Sequence, residues 1–274
     1  MTGQELREAL HAGRRVYGTT ITNPSLWALP MYRGLDFAFV DNEHIPLGRE
    51  STMALCQALR ACGVAPLVRI PTADPTRAAM TLDLGADGIV CPYVEDPEVA
   101  RQMVGVAKWR PLKGRKLAEF LRTGEGVAPH TLEYLRRWNR NSVLIFNIES
   151  RPAFERLDEL LAVEGLDGIL IGPHDLSISL DMPEQYDHPE FVRVTEQIIT
   201  RARAAGLGAG LHYWMGLEGQ MQYVRRGANL ILYSSDVTEA TRSINAAIAR
   251  LRAAFDAGPQ GPDAGEACKP PPPA

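Results

Sequence analysis

Eight short apolar runs recur along the chain, each followed by a stretch whose apolar residues return every three or four positions. Few folds accommodate that alternation. The runs are Val16–Ile21, Phe37–Asp41, Ala65–Ile70, Gly88–Cys91, Val143–Ile148, Gly168–Ile171, Leu207–Leu211 and Asn229–Tyr233. The helical stretches cover residues 50–62, 75–84, 96–107, 130–140, 152–163, 189–205, 216–226 and 238–255. An apolar run closed by Gly172-Pro173, as after Gly168-Ile-Leu-Ile, reads as a strand covered on both faces, the mark of a parallel sheet. Eight β-then-α units predict an α/β protein, a single (β/α)8 barrel over residues 1–256. A doubly wound sheet is the competing arrangement. No Gly-x-Gly-x-x-Gly follows the first run, so dinucleotide binding has no support.

The chain has 274 residues, 45% of them apolar and 23% charged, enough to bury a full core. A net charge of −4 leaves no footprint for nucleic acid or an anionic membrane. No segment approaches the roughly 20 apolar residues of a membrane span. Residues 1–15 form an amphipathic helix candidate without the apolar core of a signal peptide. Cys56, Cys62, Cys91 and Cys268 lack metal-ligand spacing, and Cys56 and Cys62 point to different faces of one helix. A reducing, cytoplasmic location is expected. Two segments break the rhythm. Residues 109–129 read as a long polar loop, a lid or interface candidate. Residues 257–274, ending Lys-Pro-Pro-Pro-Pro-Ala, read as a disordered tail.

In such a barrel the chemistry sits where strands meet the following loops. The strand ends carry Asp41-Asn42-Glu43-His44, Arg69-Ile70-Pro71, Asn147-Ile148-Glu149-Ser150, Gly172-Pro173-His174-Asp175, His212-Tyr213-Trp214 and Ser234-Ser235-Asp236. Leu82-Asp83-Leu84 precedes the fourth run. Glu149 and Asp175, ending neighbouring strands, would make a hard-cation site. A helix starting at His174 and Asp175 would direct backbone N–H groups at an anion beside it. Taken singly, each residue has a plainer reading. Asp175 could cap a helix, Glu149 could pair with Arg151 or Arg69, His44 could be a surface histidine, and Asp83 could cap a turn. Arg69 is harder to set aside, because a guanidinium at a barrel-strand terminus needs an anionic partner.

In this order, Asp41-Asn-Glu-His44, Val68-Arg-Ile-Pro71, Leu82-Asp-Leu-Gly-Ala86, Ile148-Glu149 and Ile171-Gly-Pro-His-Asp-Leu-Ser177 resemble the HpcH/HpaI aldolases. These are metal-dependent class II pyruvate aldolases, and the resemblance runs from about Gly18 to Tyr233. It implies that Glu149 and Asp175 ligate a divalent metal, Mg²⁺, Mn²⁺ or Co²⁺, and that the amides at His174 and Asp175 take the substrate carboxylate. It implies Arg69 at the enolate oxygen and His44 as acid/base, oriented by Asp83. Asp41, Asn147 and the Gly172-Pro173-His174-Asp175 turn would line the substrate. The implied activity is carbon–carbon lysis of 2-oxoacids through a pyruvate-type enolate, with an aldehyde or other carbonyl compound as acceptor. Alternatives within the superfamily are a citrate synthase-like enzyme or a CoA-ester lyase; outside catalysis, the alternative is a barrel that only binds a 2-oxoacid. No lysine stands at the sixth strand end for a Schiff base, which favours the metal route.

The chain departs from the family at Asn147, where a glutamine is common, and at His174, where a small residue is common. It also departs in the Trp109-Arg-Pro-Leu-Lys-Gly-Arg115-Lys loop and in the His212-Tyr213-Trp214 rim. Family assembly implies a homo-oligomer, a hexamer or dimer of trimers, exchanging its C-terminal helix. Here that helix carries Ile244, Ile248, Leu251 and Phe255 on one stripe, which needs a partner surface.

Overall fold

The computed structural model describes residues 1–213 and 216–256; the 257–274 tail, with Cys268, and Trp214 of the expected rim lie outside the described residues. The strands are β1 (Val16–Ile21), β2 (Phe37–Asp41), β3 (Ala65–Arg69), β4 (Gly88–Cys91), β5 (Val143–Ile148), β6 (Gly168–Ile171), β7 (Gly208–Tyr213) and β8 (Leu230–Ser235). They pair in sequence order, all parallel, and β8 pairs back on β1 to close the expected barrel. β7 and β8 each run two residues beyond their apolar runs. Ladder hydrogen bonds depend on the backbone, so pairing continues through the polar His212 and Ser234.

The helices are α1 (Gly3–His11), α2 (Leu29–Tyr32), α3 (Arg49–Ala61), α4 (Pro75–Asp83), α5 (Pro97–Trp109), α6 (Gly114–Thr123), α7 (Pro129–Trp138), α8 (Arg151–Glu155), α9 (Leu157–Leu161), α10 (Pro173–Ser179), α11 (Pro189–Ala204), α12 (Leu217–Arg225) and α13 (Asp236–Phe255). The stretch expected as one helix over 152–163 is two, broken at Arg156, whose φ of −101° and ψ of 18° leave the helical well. The 109–129 loop is also corrected. It contains α6, which packs on α5 with Phe120 edge-on to Trp109, ring centroids 4.8 Å apart.

Alternation along the strands separates two cores. Phe37, Phe39, Leu67, Val90, Ile145, Leu170, Leu230 and Leu232 fill the barrel interior. Ile89, Leu144, Phe146, Ile169, Ala209 and Leu211 face the surrounding helices. α1 closes the amino-terminal end of the barrel, with Leu6, Ala9 and Leu10 joining the interior cluster. A capping box between Thr2 and Glu5 starts that helix. Gly208 makes room for it, since a Cβ there would stand 2.8 Å from a Leu10 methyl. Asp167, just before β6 and 3% exposed at its side chain, ties the plug down by pairing with His11 at 3.0 Å and with Lys108. Burial opposes ionisation of Asp167, but Lys108 and His11 outweigh it and hold the carboxyl below the usual range.

Candidate active site

The carboxyl end of the barrel is built around a buried fork. β2 and β3 pair with Asp41 directly opposite Arg69. The Arg69 Nε donates to Asp41 Oδ1 at 2.9 Å and Nη2 donates to Oδ2 at 2.6 Å. Asp41 is 5% exposed and Arg69 7%. The guanidinium holds the Asp41 carboxyl below its ordinary range although burial pushes the other way. After β2 the chain turns sharply, and Asp41 Oδ1 accepts the Glu43 N–H at 3.0 Å. That turn brings Glu43 back, with Oε2 at 3.1 Å from Arg69 Nη1 and 3.7 Å from His44 Nε2. Arg69 thereby commits two of its five N–H donors to Asp41 and ion-pairs with Glu43 through Nη1. Its guanidinium lies 5.5 Å from the centroid of the interior Phe39 ring.

Across the mouth, Glu149 follows β5 and is 2% exposed. Its Oε1 accepts the Tyr93 N–H at 2.8 Å and its Oε2 accepts from Asn147 Nδ2 at 3.1 Å. Tyr93 has a φ of 49°, a conformation a tyrosine adopts only when its surroundings hold it there. Gly172 leaves the space that Glu149 uses; a Cβ at Gly172 would stand 2.2 Å from Glu149 Oε2. Burial above all pushes the Glu149 carboxyl up to about 7, and the Asp175 and Glu43 carboxylates push the same way. Asp175 stands in the first turn of α10, half-buried, and does not cap that helix; Gly172 holds the cap position.

Two carboxylates whose charges repel, one of them buried and without an ion-pair partner among the described residues, fit a divalent ion. The donors are hard oxygens, which suit Mg²⁺, Mn²⁺ or Co²⁺. Among the described residues no group of three or more His, Cys, Asp and Glu is disposed to hold a metal. A metal held by Glu149 and Asp175 would therefore need further ligands from outside the chain.

Asp41, His44, Arg69, Asn147, Glu149, Gly172, Pro173, His174 and Asp175 all stand at this end of the barrel. Asp83 does not. It ends α4, the helix that carries the chain from the mouth back to the amino-terminal end, and its carboxylate pairs with Arg110 at 3.2 Å, 75% exposed. Within one chain the expected Asp83–His44 pairing is therefore not made, and Glu43 is the carboxylate beside His44. The signal was available: a residue before a barrel strand lies on the face opposite to a residue after one. His174 turns toward Glu184 at 3.8 Å. The residues missed are Glu43 as a partner of Arg69 and the Tyr93 N–H as a partner of Glu149; a positive φ at tyrosine has no sequence signature.

A closed parallel barrel that gathers carboxylates, a guanidinium and an imidazole at the carboxyl ends of its strands defines an enzyme of the (β/α)8 class. The chain belongs to the HpcH/HpaI aldolase/citrate lyase family, whose model matches residues 20–243. It is 33% identical over 243 residues to the hydroxypyruvate/pyruvate aldolase of Deinococcus radiodurans, covering 86% of each chain. An HpcH/HpaI aldolase from Desulfitobacterium hafniense superposes with a TM-score of 0.79 at 28% identity, over 94% of this chain and 99% of that one. The citrate synthase SbnG superposes with a TM-score of 0.78 at 25% identity, over 92% and 98%.

Proposed function

We propose that the protein is a divalent-metal-dependent aldolase that makes or breaks a carbon–carbon bond next to the keto group of a 2-oxoacid. The observation that carries this reading is the buried Glu149, packed against Gly172 and repelled by the charge of Asp175, at the same end of the barrel as the Arg69–Asp41 fork. A bound divalent ion would supply Lewis-acid stabilisation of the negative oxygen that develops on the 2-oxoacid. Glu149 and Asp175 would hold that ion, with Mg²⁺, Mn²⁺ or Co²⁺ as candidates.

The rest of the chemistry belongs to side chains. The remaining N–H donors of Arg69 bind the enolate oxygen, and Asp41 fixes their direction so that no reorganisation is needed as charge grows. The backbone N–H groups at His174 and Asp175 take the substrate carboxylate. His44 moves the proton of the alcohol oxygen, to or from the acceptor carbonyl. Glu43, 3.7 Å from His44 Nε2, stabilises the imidazolium that this transfer creates. Asn147 orients Glu149 through its Nδ2.

The test is exchange of the pyruvate methyl protons in D₂O. Metal-stimulated exchange that is lost in Glu149→Ala and Asp175→Ala is expected; full exchange after chelation overturns the reading. Likeness to a citrate synthase favours a second reading in which the acceptor or donor differs. Product analysis with pyruvate plus aldehydes against oxaloacetate plus acetyl-CoA separates the two. A cytoplasmic setting suits Cys56, Cys62 and Cys91, which are free thiols, and no helix among the described residues is long and apolar enough to cross a membrane.

A homo-oligomer is part of the same proposal. α13 buries only Asp236, whose carboxylate accepts from Tyr32 Oη and the Thr22 N–H, while Ile244, Ile248, Leu251 and Phe255 are 61%, 41%, 54% and 82% exposed. The outer face of β1 and β8 keeps a groove of ≈ 330 Å³ lined by Tyr17, Met31, Leu35, Ile231 and Tyr233. A helix after β8 ordinarily covers that face of a barrel, and α13 of a second copy would do so here. Light scattering of Ile248→Glu against wild type tests it; a wild-type monomer at all concentrations overturns it.

A further inference from the structure

One inward-facing residue of the mouth has no part in the mechanism above. Alternation along β7 sends Ala209 and Leu211 outward to the helices, and Gly208, Gly210 and His212 inward. The His212 ring meets interior Phe39 edge-on, centroids 4.6 Å apart and planes at 90°, and Arg69 covers the same Phe39 ring. His212 and Arg69 thus share one wall of the site. The His212 Nε2 is buried and has no hydrogen-bond partner among the described residues. Burial, reinforced by Arg69, pushes the imidazolium down to about 3, which favours the neutral ring.

Two further interior positions carry the same mark. Asn147 Oδ1 on β5 and Ser234 Oγ on β8 are buried without partners. Ser234 also has a φ of 51°, uncommon for a residue with a Cβ. On their strands Asn147 follows Ile145 and Ser234 follows Leu232 of the apolar interior, while His212 follows Gly210. Buried polar atoms in folded proteins are almost always satisfied, so three unmet ones facing one mouth point to something that arrives there.

The chemistry of that visitor follows from theirs. All three groups are uncharged and supply no formal countercharge to an anion. A hydroxyl both donates and accepts, and so satisfies a neutral imidazole in either tautomer and a serine or amide beside it. The keto and carboxylate oxygens of a 2-oxoacid are already assigned to Arg69, the helix amides and the ion. What remains beside Arg69 and His44 is the carbon pair being joined and its substituents.

We propose that His212, with Asn147 and Ser234 on the same inner surface, is a specificity-determining residue that hydrogen-bonds an aliphatic hydroxyl next to the bond being made or broken. The enzyme then prefers hydroxylated substrates to their deoxy counterparts. The inference rests on the aldolase reading and deepens it. The hydroxyl could sit on the donor, as in hydroxypyruvate, or on the acceptor, as in glycolaldehyde, and the experiment distinguishes them.

Ratios of kcat/KM are measured for hydroxypyruvate over pyruvate and for glycolaldehyde over acetaldehyde, in wild type, His212→Leu and His212→Gln, all metal-loaded. Calorimetric titration of hydroxypyruvate and pyruvate gives the donor ratio without turnover. His212→Leu is expected to lower one ratio about tenfold, the factor that one such hydrogen bond supplies. His212→Gln, which keeps a donor and an acceptor, should restore most of it. A fall in the donor ratio alone assigns the hydroxyl to the 2-oxoacid; a fall in the aldehyde ratio alone assigns it to the acceptor. Ratios that stay at wild-type values, or rates that fall in step for all four substrates, overturn the inference and leave a packing role. Wild-type protein without metal-stimulated pyruvate exchange overturns the aldolase reading itself.

Discussion

Replacing Glu149 by glutamine should stabilise the metal-free protein while destroying its function. The Glu149 carboxyl rises from 4.5 to about 7 on folding, chiefly through burial. A folded-state value above the unfolded one means that the protonated form is favoured. The associated stability is present in full below pH 4.5 and is lost as pH rises through about 7. Above that range the ionised group costs about 3 kcal/mol. Glutamine has the same shape and no charge. Its Oε1 can accept the Tyr93 N–H, and Asn147 can turn its unpartnered Oδ1 toward the new Nε2. At pH 8 without metal, Glu149→Gln should therefore melt roughly 5–10 °C above wild type. At pH 4.5 the two should coincide. Added Mn²⁺ should raise the wild-type midpoint and leave the variant's unchanged, because the ion binds only the deprotonated site. Differential scanning fluorimetry with and without chelator reads all three conditions. A variant no more stable than wild type at pH 8 would refute the account of Glu149 as a buried charge awaiting a cation.

Arg69→Lys keeps a positive charge but cannot make the fork to Asp41, so urea unfolding should show a loss of about 2–3 kcal/mol. Pyruvate exchange in that variant should fall by about 100-fold; wild-type exchange would remove Arg69 from the enolate. His44→Ala should retain exchange and lose carbon–carbon cleavage by about 10²–10⁴-fold, and equal losses in both assays would reject His44 as the acid/base of the second half-reaction alone. Asp167→Asn leaves Lys108 buried without its counter-charge and should cost about 3–5 kcal/mol. Asp83→Asn breaks only an exposed pair and should cost less than about 1 kcal/mol in the same unfolding assay.

The contrast between those last two aspartates shows where sequence reasoning stops. Period-two and period-3.6 patterns are local consequences of backbone geometry, so seven of the eight helical stretches and all eight strands were legible, most strand bounds to within one residue. The same local chemistry identified Arg69, Glu149 and Asp175 as residues that end strands. What a residue faces is not local. Asp83 and His44 lie 39 positions apart, and whether they meet depends on which end of the barrel each occupies. Helix α4 returns the chain to the far end, so proximity passes to Glu43, two residues after Asp41 and folded back by the turn that Asp41 Oδ1 fastens. The left-handed backbone of Tyr93 and the edge-on packing of His212 against Phe39 are likewise properties of closure. Each is set by neighbours that only the closed sheet brings together, at separations where a short-range pattern in the sequence carries no information.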